Sequence, residues 1–281
     1  MRNGLVGVLV LAGVLVSCKD SKMQNAFATD DEQEDDSVEA YVGDTLHLFA
    51  EEEEPPATVD ELFDDFFYSF VDDARFQRQR IAFPLPCKED EEETRLTGEE
   101  WQQFDRFDAQ EFYSFIYERE QDVELQKDTA MQSVDVEWIS LRDNRVEQFD
   151  FNRVGGKWTL TEVRKVPREK LPNGDFLTFY AQFVNDSTFQ RESLAEPVRL
   201  ILTSEDGEEE NQEEELAADD WFNMKGDLPL PTDALICIDY GQACISQNRK
   251  TLMMQGLSNG LQMKFRFNKD GDDWKLIEIE Y

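Results

Sequence analysis

The stretch FVDDARFQRQRIAFPL, Phe70 to Leu85, returns 113 residues further on as FVNDSTFQRESLAEPV, Phe183 to Val198. The two align without a gap. Phe70, Val71, Asp73, Phe76, Gln77, Arg78, Ala82 and Pro84 are repeated as Phe183, Val184, Asp186, Phe189, Gln190, Arg191, Ala195 and Pro197. Two more blocks follow in the same order. LTGEEW (Leu96 to Trp101) becomes LAADDW (Leu216 to Trp221), and FDFNRVGGKWTLTEV (Phe149 to Val163) becomes FRFNKDGDDWKLIEI (Phe265 to Ile279). Collinear blocks with drifting offsets are the mark of a tandem duplication with loop insertions. The chain therefore carries two similar units, residues 58–168 and 172–281.

Each unit opens on helical periodicity. In the first, Thr58 and Glu61 have the spacing of a capping box, ahead of Phe63, Phe66, Phe67 and Phe70. In the second, Phe176, Phe179, Tyr180 and Phe183 repeat that spacing. Pro84 and Pro197 bar further helix. The period then changes to two. VDVEWISL (Val134 to Leu141) reads as a strand, and the two FxFN…W blocks read as hairpins turned at Gly155-Gly156 and near Gly271. Each unit is thus expected to be α+β, a helix pair followed by an antiparallel sheet.

The first 57 residues read differently. Residues 1–17 hold one positive charge and a short apolar run, Leu5 to Val16, that ends in LVSC at Cys18. Small residues before a cysteine at this spacing resemble the bacterial lipobox, which implies lipidation of Cys18 and a membrane anchor in the cell envelope. Residues 18–57, with DDEQEDD and EEEEPP, are too acidic and too poor in large apolar groups to bury a core, so a disordered tether is expected there. The formal charge of −35 argues against nucleic acid as a partner. Acid also gathers at equivalent places in the two units, Lys88 to Glu93 and Glu205 to Glu215, which reads as one solvated loop written twice.

The lipobox, the acidic leader and two copies of a helical phrase each closed by a Gly-turned FxFN…W hairpin resemble an uncharacterised Bacteroidales lipoprotein family. That family is built from tandem nuclear transport factor two-like domains. The resemblance covers roughly Val59 to Tyr281 and implies two cone-shaped domains, each a helix pair packed on a curved antiparallel sheet. It implies no particular activity, because this fold hosts enzymes, carriers and association modules alike.

Few residues point to chemistry. The single histidine, His47, lies in the acidic leader, which removes His-based triads and zinc sites from the folded part. No phosphate-cradling glycine loop or dinucleotide fingerprint is present, so no cofactor is expected, and the acidic runs lack the spacing of a calcium loop. Cys237 and Cys244 flank a possible turn at Tyr240-Gly241; they could pair or remain free thiols, and Cys87 has no evident mate. The polar residues that both units keep are Asp73, Gln77 and Arg78 and their copies Asp186, Gln190 and Arg191. They could form the charged lip of a ligand pocket, or Asp could cap the short FQR helix while a buried Arg satisfies nearby oxygens. The sequence thus leaves three functions open: a module that binds a small molecule, glycan or protein, an enzyme with a carboxylate base in its cone, and a structural spacer.

Overall fold

The computed structural model describes residues 58–101, 112–203, 211–246, 248–256 and 260–281, which lie within one compact unit, Glu53–Tyr281. The signal peptide, the tether, Cys18 and His47 fall outside the described residues. No helix among the described residues is long and apolar enough to cross a membrane.

Each repeat begins with a two-helix phrase, α1 (Phe63–Asp72) with α2 (Ala74–Gln79), and α3 (Gly174–Asn185) with α4 (Ser187–Glu192). The break between the helices is set by one aspartate. Asp73 Oδ1 accepts from the N–H groups of Arg75 and Phe76, and Asp186 Oδ1 accepts from those of Thr188 and Phe189. Each caps the second helix while its own extended backbone ends the first. The capping box expected at Thr58 and Glu61 does not form. Thr58 and Glu61 instead close a backbone turn, and α1 starts only at Phe63, with Leu62 as an uncapped N-terminus. Asp60, inside that turn, is drawn inward to Arg80 and to the Trp158 N–H.

Among the described residues twelve strands follow the helices. The first repeat supplies β1 (Leu85–Glu89), β2 (Glu92–Leu96), β3 (Phe112–Tyr117), β4 (Ser133–Ser140), β5 (Arg145–Val154) and β6 (Lys157–Pro167). The second supplies β7 (Leu194–Leu202), β8 (Gln212–Leu216), β9 (Ala234–Asp239), β10 (Arg249–Gly256), β11 (Gln262–Asp270) and β12 (Asp273–Glu280), with α5 (Ala218–Met224) between β8 and β9. The expected hairpins are β5–β6 and β11–β12. Gly155 and Gly156 both have positive φ, as a tight two-residue turn demands. Both hairpins carry a register shift at the same place, between Asp150 and Phe151 and between Arg266 and Phe267.

All twelve strands form a single sheet in the order β2-β1-β6-β5-β4-β9-β3-β10-β11-β12-β7-β8. This order is symmetric about its centre once each strand is matched to its copy, but the two central strands have changed places. β9 of the second repeat pairs antiparallel with β4 of the first, and β3 of the first repeat pairs antiparallel with β10 of the second. The repeats are contiguous in sequence and interleaved in space. Below, the first half means β2-β1-β6-β5-β4-β9 with α1 and α2, and the second half the remainder.

The exchanged strands serve two cores at once. On β9, Ile236 and Ile238 join the core of α1, whereas Leu235 and Cys237 join that of α3. Successive side chains of a strand point to opposite faces, so the two helical layers lie on opposite faces of the sheet. The aromatic cores match. Phe63 meets Trp158 edge-on at 5.1 Å, and Phe176 meets Trp274 at 5.3 Å. Phe70 meets Phe151 at 5.1 Å, and Phe183 meets Phe267 at 5.7 Å, both with perpendicular rings.

The acidic runs are not simple loops. Lys88 to Glu93 spans the β1–β2 hairpin, and Glu213 to Glu215 lie in β8. The glutamates therefore line the two outermost strands, where like charge blocks edge-to-edge pairing with another chain.

Candidate functional site

The first turn of α1 turns an aspartate toward the exchanged strands. Phe63, Phe66, Phe67 and Phe70 bury the apolar face of the helix, and Asp64 lies beside that stripe, half-buried. The Tyr113 hydroxyl, on β3, donates to Asp64 Oδ2 at 3.0 Å. The Tyr240 hydroxyl, just past the end of β9, donates to Asp64 Oδ1. The carboxylate is thus held by one tyrosine from each repeat, and the strand exchange is what brings them together.

Local bonding fixes Tyr240. Its N–H donates to Gln242 Oε1 at 2.9 Å, and the Gln242 amide donates in turn to the Ile116 carbonyl on β3. Gly241 takes the positive φ of the turn, and its N–H donates to Asp239 Oδ1. The Tyr240 ring stands edge-on to Phe63 and Phe115. Burial pushes the Asp64 carboxyl above its ordinary range; the two hydroxyl bonds pull it part of the way back. Burial and the adjacent Asp64 charge push both tyrosines far up, so they remain hydrogen-bond donors at any physiological pH.

Asp64 and Tyr113 form part of the wall of an open cleft of about 520 Å³, with Thr58, Asp65, Tyr68 and Ser69 around them. Tyr68 is 44% exposed and offers its ring to the cleft mouth. Among the described residues no lysine, arginine or histidine lines the cleft. The lining suits a ligand that donates hydrogen bonds and can lie against an aromatic ring, such as a sugar hydroxyl face or an ammonium group.

The second half closes the same place with hydrocarbon. In the gap-free alignment of the helices Asp64 corresponds to Leu177, which is fully buried. The strand register matches Tyr113 to Leu235, and Leu177 and Leu235 both belong to the second core. The polar cluster is therefore found beside α1 alone, and the core of α3 has hydrocarbon at the matching positions. Comparing the two repeats position by position could have flagged Asp64; nothing in the sequence marked Tyr113 or Tyr240.

The six polar residues shared by the repeats lie elsewhere, and none lines this cleft. Asp73 and Asp186 are the helix caps. Gln77 is buried, donates to the Phe70 carbonyl and accepts from the Trp101 indole at 3.1 Å. Gln190 is buried as well and accepts from Lys225 at 2.8 Å. Arg78 and Arg191 are exposed, contrary to the expected burial. Arg78 reaches the carbonyls of Gly98 and Trp101, and Arg191 pairs with Asp219 at 2.9 Å above the Phe222 ring. The buried arginine of this phrase is Arg80, which the second repeat replaces with Ser193. Arg80 forms a two-pronged bond to Asp60, at 2.7 and 2.8 Å. Burial alone would raise the Asp60 carboxyl, but Arg80 and the Trp158 N–H hold it below its ordinary value.

The opposite face of the first half carries a second acidic group. Asp150, Asp135 and Asp239 stand directly opposite one another on β5, β4 and β9. Arg164 is the basic side chain that bonds into this row, reaching Asp150 at 2.7 Å and Asp135 at 3.3 Å, while Asp239 accepts from the Gly241 N–H. Burial, then the Asp150 charge, pushes Asp135 up to about 7. Burial, then Asp239, pushes the neighbouring Glu137 up to about 7 as well. Among the described residues no group of His, Cys, Asp and Glu is arranged to hold a metal ion. Cys87, Cys237 and Cys244 are free thiols.

Residues 42–281 match the model of DUF4348, a domain of unknown function. Among solved structures, the chain is similar to a nuclear transport factor two-like (NTF2-like) protein from Bacteroides fragilis NCTC 9343. The two are 34% identical, with a TM-score of 0.72, and the match covers 81% of this chain and 98% of the other. No curated protein matches the chain.

Proposed function

From the premise that the chain belongs to the DUF4348 family and has an NTF2-like fold, we propose that it is a non-catalytic binding module, lipid-anchored at Cys18 in the cell envelope, whose ligand enters the cleft beside Asp64. The observation that carries this reading is the divergence of the two halves. Where the second half has Leu177 and Leu235 in its core, the first keeps Asp64 bonded to Tyr113 and opens a cleft over them. Withdrawing a carboxylate from water is costly, and a duplicated scaffold has no structural need of it at one position only.

A second reading, an envelope enzyme using Asp64 as general base, draws on the same raised carboxyl. It is the weaker one, because both oxygens of Asp64 already accept tyrosine hydroxyls. The phenylalanines of α1 fill the core beneath the helix, which leaves the cleft beside Asp64 as the place for a ligand.

The anchor and the cleft are tested separately. Cys18→Ser should release the protein from the membrane fraction and abolish acyl labelling; persistent labelling contradicts the anchor. For the cleft, a neutral hexose, an amino sugar and a diamine are titrated against the full chain by protein NMR. Saturable shifts with at least one probe, lost in Asp64→Leu, support the reading. Binding unaffected by that change, or none with any of the three, contradicts it.

A further inference from the structure

The open face of the second half, on the side of the sheet away from α3, has diverged in the opposite sense. Arg199 on β7, Arg249 on β10 and Arg266 on β11 line a cleft of about 610 Å³ there. A neighbouring cleft of about 470 Å³ shares Arg119, Arg249 and Asn268 with it and adds Lys269. At the positions of Arg199, Arg249 and Arg266 the first repeat has Pro86, Ser133 and Asp150. The cross-strand ion pair is kept with its charges reversed: Asp150 with Arg164 in the first half, Arg266 with Glu280 in the second. A chain with a formal charge of −35 has gathered arginines on one face of one repeat.

The charges are layered. Glu278 and Glu118 form the floor, with side chains only 4% and 5% exposed. Glu278 accepts from Arg199 and Arg266; Glu118 accepts from the buried Lys250 and from the N–H groups of Ile245 and Ser246. The side chain of Arg199 is 57% exposed and that of Arg119, bonded to Asp122, 45% exposed. Glu120, bonded to Arg266, is the carboxylate that reaches the rim. Arg249 is exposed and has no hydrogen bond or ion pair among the described residues. On its cross-strand neighbour Asn268 the side-chain oxygen is buried with no donor among the described residues. Buried carboxylates orient the arginine forks from below, an uncommitted guanidinium stands at the rim, and the residue with the uncommitted acceptor forms part of the wall of the same cleft.

We propose that this face binds a small ligand carrying an oxyanion together with a hydroxyl group, such as a sugar phosphate or a sugar acid. The oxyanion meets Arg249 with Arg199, in the fork geometry that guanidinium offers to phosphate and carboxylate. The hydroxyl satisfies Asn268. This site is separate from the cleft at Asp64, which has no basic side chain among the described residues and selects donors.

Calorimetric titration of the full chain at low ionic strength with a hexose phosphate, a hexuronic acid, inorganic phosphate and the neutral hexose tests the proposal. A hexose phosphate or hexuronic acid should bind saturably, and more tightly than inorganic phosphate or the neutral sugar. The two acidic sugars separate phosphate from carboxylate as the anion. Binding should weaken with added salt. Arg249→Glu, at an exposed site, should leave the fold intact and weaken binding at least tenfold, while Arg95→Glu on the far edge strand leaves it unchanged. Asn268→Leu should erase the advantage of the hydroxylated ligand over inorganic phosphate. No saturable binding of either acidic sugar, or equal affinity in Arg249→Glu, overturns the proposal.

Discussion

Asp64 and Leu177 occupy one position in two copies of the same helix, and only Asp64 holds two tyrosine hydroxyls. Leucine there completes a core; aspartate there requires Tyr113 and Tyr240 as partners. Asp64→Leu alone should therefore destabilise the protein by about 1–3 kcal/mol, because it strands two buried hydroxyls. Adding Tyr113→Phe and Tyr240→Phe removes those donors, and most of the loss should return in urea unfolding. Ligand binding at the cleft should not return. A triple variant no more stable than Asp64→Leu would show that the three residues do not form one unit.

The buried ion pair and the repeated arginines should behave differently. Arg80→Ala removes a buried guanidinium and leaves the half-buried Asp60 with only the Trp158 N–H, and should cost about 3 kcal/mol. Arg78→Ala and Arg191→Ala remove exposed contacts and should each cost no more than about 1 kcal/mol. Equal losses for all three in thermal or urea unfolding would contradict this assignment.

Asp135 and Glu137 set a pH dependence of definite sign. Their carboxyls titrate at about 7 in the folded protein and at about 4 in an unfolded chain. Between those values the folded state holds protons that the unfolded state has released, so stability falls as pH rises through that window. Glu137→Gln keeps the oxygen that accepts from Gln148 and discards the charge. It should stabilise the protein by about 1–3 kcal/mol at pH 8 and change little at pH 4.5. An unchanged pH slope in the variant would contradict the burial of Glu137 as an acid.

Much of the scaffold was legible in the sequence because it is repeated. The helix phrase, the aspartate caps, the Gly-turned hairpins and the tryptophan cores all recur at fixed offsets, and each recurrence has a local physical cause. The exchange of β3 and β9 was not legible. Both strands are short, and ALICID is a continuous apolar run with no alternation, because each of its faces is covered by a different core. The cleft was missed for the opposite reason. Shared residues such as Arg78 and Arg191 drew the eye, yet repetition marks scaffold; what distinguishes one half is a difference, Asp64 against Leu177 or Arg249 against Ser133. Arg80 escaped notice the same way, since its copy is Ser193.

Interleaving of the repeats carries Tyr240 to Asp64, and one disulfide tests it. Glu137 on β4 lies directly opposite Cys237 on β9. Facing residues of antiparallel strands have Cα atoms about 4.5–5.5 Å apart, within the span a disulfide requires. Glu137→Cys is introduced with Cys18, Cys87 and Cys244 replaced by serine, and the protein is refolded under mild oxidation. Peptide mapping by mass spectrometry should then find residues 137 and 237 joined within one monomeric chain. If β4 instead paired with β3 of its own repeat, position 137 would face no cysteine; two free thiols in a fully folded monomer would contradict the exchange and the shared site built on it.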